Sequence, residues 1–275
     1  LVSNNASSLF LKAFFKSFIF LPVILDKSFK ASKSPFIAFA IYLVVNRLLT
    51  GEKLPQIERV VYTFFTLTMT VNMFITGGRA GQVMFFVAIV ILAFQYFKNS
   101  QVKATIISIG IIVGISILAY YASDFFAQRM DAVYSDIASF HQNKGSSIGQ
   151  RITFLINSFE IVKSSPIIGV GVGDFPTEYL KINKVFSPEV INTVQPHNMY
   201  MLVLAQLGVI GLTGLLLIFF LQYKIALACN NKIISNIGVA LPLLFLVIML
   251  SDSYLLGHYT GNLFILFSSF IYSKQ

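Results

Sequence analysis

Two arginines, a histidine and a set of glycines stand out from a chain that is otherwise mostly apolar. Arg79 sits in TGGRAG (76–81), directly after a run rich in Phe, Thr and Val. Arg151 heads a helical pattern inside a long polar stretch, and Arg129 lies upstream in the same stretch. His197 follows Pro196 at the mouth of the next apolar run, with Asn198 and Tyr200 beside it. Guanidinium groups stay ionised and grip phosphate oxygens with two parallel donors. A histidine titrates near neutral pH and can take a proton from a hydroxyl, and at a helix start backbone N–H groups also favour anions. These residue types suit stabilisation of a developing negative charge together with proton transfer.

Metal chemistry has less support. His141, His197 and His258 show no HxxxH or HExxH spacing. Cys229 is the single cysteine, which excludes an intrachain disulfide and a cysteine-cluster site. No metal ligands and no cofactor are expected. Plainer readings stand beside the chemical ones: Arg79 as an interfacial anchor, Arg151 as a surface residue, His197 as a helix cap. Asp252 and His258, near the ends of the last apolar runs, read as a structural pair, and His141 as a solvated loop residue.

The elements that must carry these groups are membrane elements. Hydrophobic residues make up 56% of the chain and charged residues 11%, with a mean hydropathy of +0.77. Soluble domains carry roughly 25% charged residues, so this surface fits lipid. Spans are expected at Arg59–Thr76, Gln82–Phe97, Ala104–Tyr121, Asn198–Tyr223, Ile233–Ser251 and Tyr254–Tyr272. Pro35–Leu49 is a short apolar run, and residues 1–35 admit a span, an interfacial helix or part of a helix. The formal charge of +9 comes without a basic stripe or module, which argues against nucleic acid. Lys98 with Lys103, Lys224 with Lys232, and Lys274 fall on one side by helix counting, which the positive-inside rule makes cytoplasmic. TGGRAG, the stretch 122–196 and the turn 252–257 then share the outer side. Lys27, Lys30 and Lys33 oppose this topology if 36–49 crosses.

The stretch 122–196 has structure of its own. Ser146 and Ser147 are placed to cap a helix. Ile152, Leu155, Ile156, Phe159 and Val162 recur at helical spacing, and Pro166 stops the pattern. GVGVGDF (169–175) lacks the flanking strand and the Lys-Ser/Thr of a phosphate loop. Its glycines suit a tight turn that brings backbone close to another element.

Four features in order resemble the O-antigen ligase/polymerase superfamily of bacterial membrane glycosyltransferases: a span ending in TGGRAG, an outer loop with an Arg-headed helix, SSPIIGVGVGDF, and PHNMYMLVLAQLGVIGLTG. The resemblance covers roughly residues 60–225. A Glu often seen near the position of Gln206 is absent here. A start at Leu1, and six spans with one or two further candidates where members usually have about a dozen, point to a truncated chain.

The resemblance implies an all-α, polytopic transmembrane helix bundle with a long, partly helical periplasmic loop. It divides as 1–121, an amino-terminal transmembrane region; 122–197, the loop; and 198–275, a carboxy-terminal transmembrane region. It implies an enzyme of the bacterial inner membrane, metal-independent, with its site on the periplasmic side. The donor would be a glycan on undecaprenyl pyrophosphate. The acceptor would be lipid A-core in a ligase, another lipid-linked repeat in a polymerase, or a protein Ser/Thr in an O-oligosaccharyltransferase; the histidine at the head of a span favours the ligase. In this reading Arg79 and Arg151 stabilise the leaving pyrophosphate, with Arg129 as a further contact. Gly77, Gly78 and Gly81 let backbone approach the phosphates, His197 is the general base, and Asn198 and Tyr200 orient sugar or imidazole. The reading from a different class is a membrane transporter. Against it, the spans from 60 onward hold almost no charge at their centres, and the candidate groups gather at one face.

Overall fold

The computed structural model describes residues 27–50, 54–76, 78–138 and 144–273. Residues 1–26, Gly77, His141 and Lys274 fall outside, so the expectations for them are not addressed. Among the described residues there are ten helices and no strand. They are α1 (Lys27–Thr50), α2 (Gln56–Thr76), α3 (Arg79–Tyr96), α4 (Gln101–Ala122), α5 (Asp124–Ala138), α6 (Ser147–Ser164), α7 (Phe175–Phe186), α8 (Met199–Ala228), α9 (Lys232–Ile248) and α10 (His258–Ile271).

α3, α4 and α8 are long and apolar enough to cross a membrane, while Ser34–Thr50 of α1 and α9 are apolar but shorter. The expected span at 59–76 forms as α2 but is less apolar, because threonines and Asn72 interrupt it. Its threonines are satisfied within the helix: Thr63, Thr66 and Thr70 each donate to the carbonyl four residues earlier, at 2.8 Å. Such self-satisfaction is what an apolar medium demands of polar groups.

α1 is the axis of the bundle. Every residue from Ala38 to Val44 is buried, as expected of a helix that is apolar all round. Three polar ties, two of them to α1 itself, join it with α3 and α9. The Tyr42 hydroxyl donates to the Asn236 carbonyl (2.8 Å), Gln95 Nε2 donates to the same oxygen (2.9 Å), and Asn236 Nδ2 donates to Asn46 Oδ1 (3.1 Å). These ties bring the end of α3 and the start of α9 to one end of the bundle. Arg79, Met199 and Met249 lie at the other, which α5, α6 and α7 cap. Arg47, Arg59, Lys98, Lys103, Lys224 and Lys232 belong to the uncapped end.

The cap has its own core of Phe154, Ile161, Phe175, Tyr179 and Val190, joined by Leu202 and Ala205 from the start of α8. A buried amide network locks α6 to α7. Asn157 Nδ2 donates to Asn183 Oδ1 (3.1 Å), and Asn183 Nδ2 donates to the Val190 carbonyl (2.8 Å). Ser146 caps α6 as its position predicts, its Oγ accepting from the Gly149 N–H at 3.1 Å. The buried face of α6 is a surprise. It is Thr153, Phe154, Asn157, Ser158, Ile161 and Val162, whereas Ile156 and Phe159 of the expected apolar stripe stay exposed.

α8 is two helices joined by a break at Gly208 (φ 62°, ψ −163°). Residues 209–228 alone give about 30 Å of helix, the thickness of a bilayer's hydrocarbon. Both ends of the short segment 199–207 therefore lie at the capped end: Val209 by the length of the span, Met199 by its N–H donating to the Met249 carbonyl (2.9 Å). The glycine turn between α6 and α7 repairs the break. The N–H groups of Val170 and Gly171 donate to the carbonyls of Ala205 (2.9 Å) and Gln206 (3.0 Å). In return, the N–H groups of Val209 and Ile210 donate to Pro166 (2.9 Å) and Ile167 (3.3 Å). Gly169 (φ +72°) and Gly208 meet at this crossing, where a Cβ on Gly208 would lie 2.1 Å from the Ile167 carbonyl oxygen.

Gly208→Ala should therefore destabilise the fold by at least about 1–2 kcal/mol, the left-handed cost alone, read as a lowered melting temperature in detergent. An unchanged melting temperature would mean that the break is not formed as described.

Candidate functional site

Each candidate side chain is delivered to the capped end by a different element. Arg79 opens α3, with buried Gly78 as its N-cap residue. Its Nη1 lies 3.5 Å from Ser147 Oγ at the start of α6. Its Nε is buried and has no hydrogen-bond partner among the described residues. Arg129 of α5 and Arg151 of α6 are its like-charged neighbours, and Asp136 is the one acidic group facing it. Arg79 thus has two like-charged neighbours and one opposing carboxylate, and like charges at short range repel. The Arg129 guanidinium is held 4.4 Å over the Phe125 ring, and Asp136 Oδ2 accepts from the Ile148 N–H at 3.4 Å.

His197 sits immediately before α8 in the left-handed region, φ 52°, which non-glycine residues adopt rarely and mostly where surrounding structure enforces it. The enforcing contacts are visible. Asn198 Oδ1 accepts from the Met201 N–H (2.9 Å), and its Nδ2 donates to the Leu250 carbonyl (3.0 Å). The Tyr200 hydroxyl donates to the Leu246 carbonyl. Asn198 and Tyr200 thus stitch the head of α8 to the end of α9. The ring stacks on Phe154 of α6 at 5.8 Å between centroids.

His197 Nδ1 is 3.2 Å from Asp252 Oδ1. The expected partner of Asp252 was His258; the structure pairs it with His197 instead, because the seam between α8 and α9 brings the 252 turn to the head of α8. Burial pushes the Asp252 carboxyl up, but the hydrogen bonds from His197 and from the Ser253 N–H, with the charges of His197 and Arg151, hold it below the ordinary carboxylate range. An ionised carboxylate only accepts hydrogen bonds. Nδ1 then carries the proton of this hydrogen bond, and in the neutral ring Nε2 is the acceptor nitrogen. Tyr254 next to the pair keeps its phenolic proton, since burial and the Asp252 charge push its pKa up to about 12. Arg151 acts on Asp252 and on Arg79 alike, so the arginine cluster and the His–Asp pair form one electrostatic unit.

Gly81 has a different part from the one expected. Its N–H donates to Ser34 Oγ (3.1 Å), and a Cβ there would lie 2.4 Å from Ser34. The glycine serves close packing of α3 on α1, not approach to a phosphate. A cavity of about 400 Å³ lies between α3, α4 and α5, lined by Phe86, Ile117, Tyr120, Phe126 and Met130.

A family profile described as O-antigen ligase matches residues 64–216, a stretch that holds Arg79, Arg129, Arg151, His197 and the repaired break. The chain belongs to the O-antigen ligase family. No curated protein matches it. Members of the O-antigen ligase family are membrane glycosyltransferase-like enzymes, and the long apolar helices here make this one a membrane protein. Asp252 lies beyond the O-antigen ligase match, and sequence reading missed it as a site residue. The signal available was a lone Asp in a turn between two apolar runs. Phe154 was missed because it looked like one more core aromatic, and Asp136 because its segment read as polar loop.

The sign of the Asp252 effect gives a stability test. Its folded pKa lies below the ordinary value of about 3.9, so its contribution is full above that value and is lost as pH falls through the lowered one. Asp252→Asn should melt lower than the parent near neutral pH, and the difference should close below about pH 4. A constant offset down to strong acid would show that the charged pair contributes nothing.

Proposed function

We propose that this chain is an O-antigen ligase, transferring a glycan from undecaprenyl pyrophosphate to a lipid A-core acceptor. The observation that carries the reading is the convergence of Arg79, Arg129 and Arg151 beside a histidine that a carboxylate holds in its basic tautomer. In the reaction the acceptor hydroxyl oxygen bonds to the anomeric carbon, and the bond from that carbon to the pyrophosphate oxygen breaks. His197 Nε2 takes the hydroxyl proton, and Asp252 stabilises the imidazolium so formed. The departing pyrophosphate gains charge as the bond breaks. Guanidinium groups fixed in advance stabilise that charge without reorganising at the moment of reaction.

The apolar cavity between α3, α4 and α5, lined by Phe86, Ile117, Tyr120, Phe126 and Met130, suits the hydrocarbon of a lipid-borne donor. Arginines and lysines at the uncapped end support, by the positive-inside rule, a reading in which that end is cytoplasmic and the site faces the periplasm at the inner membrane. The opposing lysines at the start of α1 are outnumbered: the loops at the uncapped end carry charge in three separate connections.

In a strain deleted for the gene, complementation with the parent chain should restore long glycan on lipid A-core, and His197→Ala should lower transfer by about 10²–10⁴-fold, the usual worth of a general base. Arg79→Ala should abolish transfer while leaving membrane insertion intact. Full transfer with His197→Ala would remove the histidine from the mechanism. A core bearing one repeat in the deleted strain would instead identify a polymerase.

A further inference from the structure

The glycine turn also presents an apolar surface that no other element covers among the described residues. Ile167 and Ile168 are 65% and 68% exposed. Ile156 and Phe159 on the last turns of α6 are exposed in the same way, as are Val209 and Ile210 at the start of the membrane-crossing part of α8. The level of the turn is fixed by backbone bonds: Pro166 and Ile167 accept from Val209 and Ile210, the first residues of a segment just long enough to cross the hydrocarbon. Ile167 and Ile168 therefore stand where the bilayer begins. A turn held there beside lipid-exposed Val209 and Ile210 meets lipid before it can meet a soluble partner. Lys163, whose ammonium lies over the Phe159 ring at 5.3 Å, is the kind of residue that covers apolar surface with its stem and keeps its charge at the headgroups.

We infer that the Pro166–Ile168 turn, with the exposed face of α6 behind it, is a membrane wedge, seated in the leaflet next to the arginine cluster. The occupant of this surface is the lipid itself. The wedge gives the cap a fixed depth, so that Arg151 and His197, carried on elements joined to it, stand at a set height over the headgroups. This does not depend on which reaction the site performs.

The chain contains no tryptophan, so Ile168→Trp introduces a unique fluorophore at an exposed position. The full chain carrying it is reconstituted in phosphatidylcholine vesicles whose acyl chains bear bromine either near the headgroup or near the methyl end. The expected result is blue-shifted emission, quenched about twofold or more by the shallow bromines and less by the deep ones, matching the roughly 5–10 Å depth of interfacial segments. Emission typical of water that neither lipid quenches would overturn the proposal. So would blue-shifted emission that ignores bromine and follows the protein-to-lipid ratio, since that marks contact with a second copy. Ile167→Trp repeats the measurement from the adjacent position should the first variant express poorly.

Discussion

A backbone group left without a partner in hydrocarbon costs several kcal/mol, and this structure is arranged around meeting that constraint at one place. The break at Gly208 strips carbonyls and N–H groups of their helical partners, and the turn after α6 supplies both kinds. The turn can do so only by lying against the break, which requires glycine on both sides. Once it lies there, the C-terminal end of α6 is fixed, and with it the rest of the helix that carries Phe154 and Arg151. Local repair of a helix thus sets the position of catalytic candidates three to four turns away.

A second seam fixes the histidine. Met199, Asn198 and Tyr200 all bond to backbone carbonyls at the end of α9, so the head of α8 cannot move without that helix. The left-handed backbone of His197 is the strained point between the seam and the loop before it. Electrostatics then link the two halves: Arg151 sits close enough to influence both Arg79 and Asp252. Arg79 has like-charged neighbours, and its buried Nε lacks a partner among the described residues.

Much of this was legible along the chain. Apolar runs gave the helices of the bundle, Ser146 and Pro166 bounded α6, and the alternate glycines announced a close backbone crossing. Arg79, Arg151 and His197 drew attention because such residues are costly next to a membrane. What could not be read depends on contacts between distant segments. Asp252 is a site residue only because α9 returns it to the head of α8. The buried face of α6 is partly polar, since Asn157 meets Asn183 and Ser187 in a network instead of an oily core and Ser158 donates to the Phe154 carbonyl of its own helix, so apolar periodicity pointed to its exposed side. α5 was hidden in a polar stretch, although Ser123, whose Oγ accepts from the Phe126 N–H, is a cap that marks its start. The break in α8 left little trace, for Gly208 is one of several glycines in that run, and only its backbone angles separate it from the others.

The pairing of His197 with Asp252 has a consequence for biogenesis. Membrane chains are inserted as they are made, and the arginines, the cap and the histidine all emerge before α9. Until α9 has been threaded and has carried residue 252 back across the bilayer, the imidazole has no carboxylate to orient it, and the head of α8 has no carbonyls to hold it. The imidazole therefore gains its carboxylate partner only after α9 and the turn that follows it are in place.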